Sequence, residues 1–453
     1  MKTTPVILAA GQGTRMKSTL PKLLHPLCGK PMVLHALDAV RAASTETPVV
    51  IVGHGADRVR EAVGGAVRFV LQEQQLGTGH AVLQAESVLR GEADLVLVTY
   101  GDMPLLRAET LQELVERQGA NPGPITLLTV VADDPRGFGR ILRGPDGTVA
   151  AIVEEAPASP EQLQIRELNV GAYCFRGDWL WDALHRIPVS EKGEYYLTDT
   201  VELAVAMGLT VQAVTLDDIT ETIGINTRVD LADAEAALRR RINREHMLAG
   251  VSIVDPATTY IDVGVTIGRD TIVYPGTALQ GGTSIGEGCI LGPNAIVRDT
   301  KIGANCRVLA SVLEGAVVED GVDMGPYAHL RTGAHLAEGV HMGNFGEVKD
   351  SYLGPGVKLG HFSYIGNARV GANTNIGAGT ITCNYDGEKK NPTEIGEEAF
   401  IGSDTMLVAP IKIGNRARTG AGAVVTRNVP DDTLAVGMPA RGIRKLERKA
   451  REH

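Results

Sequence analysis

The stretch IGRDTIVYPGTALQGGTSIGEGCILGPNAIV (267–297) sets Ile267, Val273, Leu279, Ile285, Leu291 and Val297 six residues apart without a miss. Ile395, Ile401, Leu407 and Ile413 repeat the spacing, and Val425 follows. Glycine comes directly after the aliphatic in IGRD, IGEG, LGPN, IGAN, IGEE, IGSD and IGNR. A six-residue period suits neither the roughly 3.6 of an α-helix nor the roughly 2 of an amphipathic strand. It fits a β-helix of hexapeptide repeats, in which each aliphatic points inward and Gly or Asn turns the corner. Ordinary short strands with chance spacing are the plainer alternative, and six consecutive matches weigh against them. The repeat starts near residue 251 and breaks at TCNYDGEKKNPTE (382–394). A polar excursion from a regular solenoid marks either a binding face or a tolerated insertion.

Upstream the pattern changes. Residues 1–228 alternate apolar runs (VVIV 49–52, DLVLVTY 94–100, ITLLTVV 125–131) with helical stretches such as MVLHALDAVRAA (32–43). Buried runs separated by helices predict parallel strands in a doubly wound, Rossmann-like α/β sheet. Such sheets bind ligands beyond the carboxyl ends of their strands. Residues 229–250 contain DLADAEAALRRRINREHM, without Gly or Pro, and predict one linking helix that ends before Gly250. The β-helix then spans 251–453, closing on the basic tail RGIRKLERKAREH, expected as a solvated helix.

A chain of 453 residues exceeds what one core serves, so at least two domains are expected. A net charge of −10 argues against nucleic acid or an anionic membrane as the main partner. Cys28, Cys174, Cys289, Cys306 and Cys383 are scattered and form no CxxC, which suits a reducing compartment. The apolar run Val6–Ala10 is too short for a signal peptide, and no stretch approaches the length of a spanning helix. A cytoplasmic protein without a stable membrane anchor is expected.

The chemistry of the first half starts at Leu8-Ala9-Ala10-Gly11-Gln12-Gly13-Thr14-Arg15-Met16, with Pro21-Lys22 close behind. Backbone N–H groups, a guanidinium and an ammonium converge there, as a triphosphate requires when pyrophosphate leaves. Tyr100-Gly101-Asp102 ends an apolar strand, and a carboxylate so placed suits Mg²⁺. LAAGxGTRM…PK resembles the signature of sugar-1-phosphate nucleotidylyltransferases. The resemblance implies base recognition by Gln72 with Gly77 and Thr78 in LGTGHA (76–81), Gln72 being the candidate for uracil. It also supplies Asn226 as a second metal ligand beside Asp102, and Gly139, Glu154 and Asn169 as holders of an acetylated sugar.

The whole chain resembles the bifunctional N-acetylglucosamine-1-phosphate uridyltransferase and glucosamine-1-phosphate N-acetyltransferase family. The resemblance is strongest at GPYAHLRTGAHL (325–336), HMGNFGEVK (341–349), LGHFSYIGNARVGANTNIGAGTITCNYDG (359–387) and IGSDT (401–405). It implies a left-handed parallel β-helix, a homotrimer with shared sites, and acetyl-CoA, UTP and Mg²⁺ as reactants and cofactor. Acetyl transfer to an amine needs a base, and an imidazole titrating near neutrality makes His361 the candidate. Arg331 and Lys349 match phosphate anchors, and Tyr364 and Asn375 match sugar contacts. Ala378, Asn384, Tyr385, Ser403 and Ala421 match the acetyl-CoA site, with Asn384 a candidate donor to the oxyanion. Met438 stands where some members carry a CoA-binding Arg; Arg441 or Arg444 are the candidates to replace it. Cys383 makes an acetyl-cysteine route conceivable, although direct transfer fits better because nothing nearby activates the thiol.

The reaction sequence implied is acetylation of glucosamine-1-phosphate, then uridylyl transfer to give UDP-N-acetylglucosamine, a precursor of peptidoglycan and outer-membrane glycolipid. Two rivals remain. One is a nucleotidylyltransferase whose β-helix only regulates or oligomerises; His361, Arg331 and Lys349 tell against it. The other is a non-enzymatic scaffold, opposed by Arg15, Lys22, Asp102 and Asn226.

Overall fold

The computed structural model describes residues 1–135, 137–155 and 158–445. They divide into two compact units, the boundary falling between Leu238 and Arg239. That boundary lies within one uninterrupted helix, Arg228–Leu248. Within the first unit, Glu235 on this helix accepts from the backbone N–H of Cys28 at 2.8 Å. Within the second, Asn243 donates to the carbonyls of Pro256 (2.9 Å) and Thr259 (3.1 Å).

The first unit is built on strands β1 (Thr3–Ala9), β2 (Val49–Val52), β3 (Arg68–Leu71), β4 (Leu95–Tyr100), β5 (Ile125–Val131), β6 (Glu167–Arg176) and β7 (Val211–Leu216). Their order in the sheet is β7-β5-β6-β4-β1-β2-β3. Val49 to Val52 are all fully buried, as a strand covered on both faces must be. The expectation of parallel strands needs one correction: β6 runs antiparallel to both β4 and β5. Strand direction leaves no trace in a buried apolar run. A hairpin of Arg140–Arg143 and Val149–Val153 hangs from β6 through Leu168 and Arg140.

Among the described residues, the second unit stacks short strands into three sheets of 12, 10 and 9 members, parallel from coil to coil except for the last strand of the twelve. Ile267 pairs with Ile285, Val273 with Leu291 and Leu279 with Val297, so each repeat residue sits one coil above its counterpart. The six-apart aliphatics are buried except Ile267, which is half-buried in a coil near the start of the stack. Glycine at the corner is required by close approach: a Cβ on Gly268 would lie 2.6 Å from the backbone of Gly286. The excursion leaves the stack after Ile381–Cys383 and returns at Thr393–Ile395. It is folded, with Tyr385 bridged to Lys390. Backbone donation from Lys389, with Asn391 and Glu388 also donating, drives the Asp386 carboxyl down to about 2.

The expected helical tail is overturned for its first part. Arg441–Lys445 is a strand, antiparallel to Thr433–Val436. The rest of the tail, 446–453, lies outside the described residues. Among the described residues no helix is long and apolar enough to cross a membrane.

Candidate functional site

A cleft of about 270 Å³ opens where β1 and β4 end. Leu8, Ala9, Ala10, Gly11, Lys22, Gln72, Gly77, Thr78, Tyr100 and Asp102 line it. Ala81 of the LGTGHA stretch lines it too, as do Leu23, Gln75, Glu194 and Tyr196, which were not singled out from sequence; GEYY (193–196) was the available signal for the last two. Lys22 forms an ion pair with Asp102 and donates to Asn226 Oδ1 at 3.2 Å. Arg15 donates to the same oxygen at 2.9 Å. Asn226, more than 200 residues from both cations, is brought in by its neighbour Ile225, whose N–H donates to the Asp102 carbonyl at 2.9 Å. Asp230 accepts from the N–H groups of Asn226 and Thr227. Burial opposes its ionisation, but these bonds outweigh it and hold the carboxyl below its ordinary range.

Gln72 is buried, and its Nε2 lies 3.2 Å from the Gly77 carbonyl and 3.0 Å from His80 Nδ1. Gly77 has φ +100, and a Cβ there would strike Tyr195 O at 2.5 Å, so only glycine closes this turn against Tyr195. Thr78 Oγ1 accepts from Leu197 N–H at 3.0 Å.

Gly101, Gly139, Glu154, Asn169, Asn226 and Arg15 do not line the cleft itself. Gly139 and Asn169 meet through Asn169 N–H donating to the Gly139 carbonyl at 2.8 Å. Gly171 follows at φ +93, where a Cβ would stand 3.0 Å from the Tyr100 ring. Burial raises the Glu154 carboxyl above its ordinary value. Burial, then the Glu202 and Glu154 charges, push Asp199 up to about 6. A carboxyl raised on folding adds stability below its unfolded pKa that is lost as pH rises through the folded value. Asp199→Asn is therefore expected to raise the melting temperature more at about pH 8 than at about pH 5. Equal shifts at both would contradict a raised Asp199 carboxyl in the folded state.

On the β-helix, Arg331 pairs with Glu347 at 2.9 Å, and Glu347 sits in register with Tyr364. The neighbouring Lys390 from the excursion, and then the charge of Arg331, depress the Lys349 ammonium. Asp350, 3.8 Å from Lys349, offsets the crowding only in part. Arg331, Lys349 and Lys390 thus gather positive charge in one place, with Glu347 and Asp350 as the neighbouring carboxylates. Sequence reasoning missed Lys390, although the excursion that carries it was noted.

His361 is exposed at the end of strand Lys358–His361, with Nδ1 3.0 Å from Asn344 Oδ1. Asn375 stands on the next coil of the same sheet, in register with Lys358. Asn384 is buried and donates to Asn367 Oδ1 at 2.7 Å and towards the Tyr364 hydroxyl at 3.4 Å. Ala378, Ser403 and Ala421 follow one corner upward: Asp404 N–H donates to the Ala378 carbonyl and Gly422 N–H to that of Ser403. Tyr385 is exposed and turns its hydroxyl to the Gly387 carbonyl. Met438 is exposed; Arg441 pairs with Val436 and Arg444 with Leu434. Burial pushes the Cys383 thiol up, away from the thiolate a covalent route would need.

Residues 5–164 match the model of the MobA-like NTP transferase domain. Residues 264–299 and 392–427 match that of the bacterial transferase hexapeptide (six repeats). The "Bifunctional protein GlmU" of Exiguobacterium sibiricum is 48% identical over 432 residues, covering 95% of this chain and 96% of that protein. Its namesake in Heliobacterium modesticaldum is 48% identical over 436 residues, 96% and 95% of the two chains. That of Shouchella clausii is 45% identical over 432 residues, 95% of each.

Proposed function

The chain belongs to the family of bifunctional GlmU proteins, and from that premise we propose that each unit carries one of two successive reactions. The β-helix acetylates glucosamine-1-phosphate from acetyl-CoA. The α/β unit then joins the product to UMP from UTP, releasing pyrophosphate. The observation that carries this reading is the cation cluster of Arg331, Lys349 and Lys390 on the β-helix, because a merely oligomerising helix has no use for it.

In the α/β cleft, the sugar phosphate oxygen attacks the α-phosphorus of UTP in line, and positioning with charge neutralisation supplies the catalysis. Lys22, Arg15 and the N–H groups of the turn at Gly11 neutralise the departing pyrophosphate. Gln72 spends its Nε2 on Gly77 and His80, which leaves Oε1 to accept from uracil N3–H. Asp102 and Asn226 present hard oxygen donors to one point, marked by Lys22 Nζ, and this fits Mg²⁺, which takes few protein ligands beside phosphates and water. The bound ion would stabilise charge developing on the phosphate oxygens. Gly139, Glu154 and Asn169 hold the acetylated sugar.

On the β-helix, His361 takes a proton from the sugar amine as its nitrogen attacks the thioester carbonyl, and the C–S bond breaks to release CoA thiolate. Tyr364 and Asn375 bind the sugar. Asn384 keeps one N–H for Asn367, so an oxyanion would take the second, only loosely engaged by Tyr364. Ala378, Tyr385, Ser403 and Ala421 flank the pantetheine, with Arg441 or Arg444 in place of an Arg at Met438. A homotrimer completes the assembly. Phe345 and Phe362, exposed next to Asn344 and His361, with Tyr327 stacked on Phe345, form apolar surface that a neighbouring copy would cover. Among the described residues no two of the five cysteines are joined in a disulfide, which suits the cytoplasm.

The test replaces glucosamine-1-phosphate by glucosamine while thiol release from acetyl-CoA is followed. Loss of the phosphate is expected to lower kcat/KM by about 100-fold or more, since charge-assisted contacts to a cation cluster are lost. Equal use of both amines would contradict the assignment of the cluster.

A further inference from the structure

Resting on the reading of His361 as the base, we infer that Asn344 is a positioning residue that fixes the imidazole tautomer for acetyl transfer. Asn344 and His361 are register partners at the ends of the paired strands His341–Asn344 and Lys358–His361. Both strands are four residues long, whereas the flanking strands of the same sheet, Asp323–Met324 and Asn375–Ile376, are two. The extension is possible because Gly343 lies against Gly360: a Cβ on Gly343 would stand 1.9 Å from the Gly360 carbonyl oxygen. The ladder continues beyond the pair, with Phe362 N–H donating to the Asn344 carbonyl at 2.9 Å. Ser363 Oγ donates to the His361 carbonyl at 2.8 Å and pins the backbone from the other side. These two strands are thus carried past the corner at which their neighbours stop, and the two side chains lie abreast.

Asn344 Oδ1, 3.0 Å from His361 Nδ1, can only accept. The ring proton is therefore held on Nδ1, and the Nε2 lone pair faces outward as the base. An exposed imidazole without this partner would divide between two tautomers and rotate. The other titratable side chains on the paired strands are His341 and Lys358, which hold their own register position at the opposite ends of the strands. The coil above contributes uncharged Asn375 at that position, and the coil below Asp323, which faces His341. The adjoining sheet carries Arg331, Glu347 and Lys349.

The test compares Asn344→Ala, Asn344→Asp and His361→Ala in the full chain, with the melting temperature and the KM for acetyl-CoA of the same samples as the control for folding of the β-helix. Asn344→Ala is expected to lower kcat for acetyl transfer by about 10- to 100-fold with little change in KM. Asn344→Asp restores the acceptor and is expected to recover much of the rate. Its carboxylate favours the imidazolium, so the acid limb of kcat/KM should move to higher pH. A dead His361→Ala beside a fully active Asn344→Ala would overturn the proposal alone. So would an Asn344→Asp variant whose acid limb stays where wild type has it. A His361→Ala variant that still acetylates would overturn the base assignment and this proposal together.

Discussion

Replacing His361 by alanine is expected to lower acetyl transfer by about 10²- to 10⁴-fold, the contribution of a positioned general base, while pyrophosphate release from supplied N-acetylglucosamine-1-phosphate stays at the wild-type rate. The ring is exposed at a strand end, so little packing is lost with it. Its backbone is held by Ser363 and by strand pairing that alanine preserves. The effect should fall on kcat, because the phosphate is gripped by other residues. A variant with unchanged kcat and raised KM would show that His361 only binds substrate.

Lys22→Ala is expected to lower uridylyl transfer by about 10²- to 10³-fold, as removal of a donor aimed at developing charge does elsewhere. Acetyl transfer should be untouched. The side chain is largely buried against the turn: a Cβ on Gly13 would come within 2.6 Å of Lys22 Cβ, so glycine at φ +63 lets the lysine stem pack there. The ammonium joins Asp102 and Asn226, which alanine would leave without it. Lys22→Arg should restore little, because the planar fork cannot take the place of a compact ammonium in that space. A rise in the KM for UTP with kcat unchanged would mean that Lys22 binds ground and transition states alike.

The repeat was the most legible feature because its period is local. Val273, Leu279 and Leu291 each report one face of one coil, and they are fully buried. The cleft was legible where its residues are consecutive, as in Leu8 to Gly11, or where a strand ends on a carboxylate, as at Asp102. Contacts across long stretches of chain were not. Asn226 meets Arg15 across 211 residues and came only from resemblance. Lys390, Asn367 and Asn344 depend on which coil stacks on which, and a period of six does not say how the excursion folds back. The direction of β6 escaped because its buried residues resemble those of β4 and β5, which run the other way. Arg441–Lys445 was misread because a run rich in Arg and Lys favours helix locally, while pairing with Thr433–Val436 decides otherwise.

One chain that holds two independent active sites should lose them one at a time. The most direct measurement follows free thiol and pyrophosphate separately for wild type, His361→Ala and Asp102→Ala, with acetyl-CoA, UTP, Mg²⁺ and either glucosamine-1-phosphate or N-acetylglucosamine-1-phosphate. Wild type is expected to release both products. Given glucosamine-1-phosphate, His361→Ala should lose thiol release and with it the pyrophosphate that depends on the acetylated product, yet release pyrophosphate normally from N-acetylglucosamine-1-phosphate; Asp102→Ala should lose pyrophosphate release from either substrate and keep thiol release from glucosamine-1-phosphate. A wild-type protein that releases pyrophosphate but never thiol would contradict this, and the β-helix would then be no acetyltransferase for this substrate.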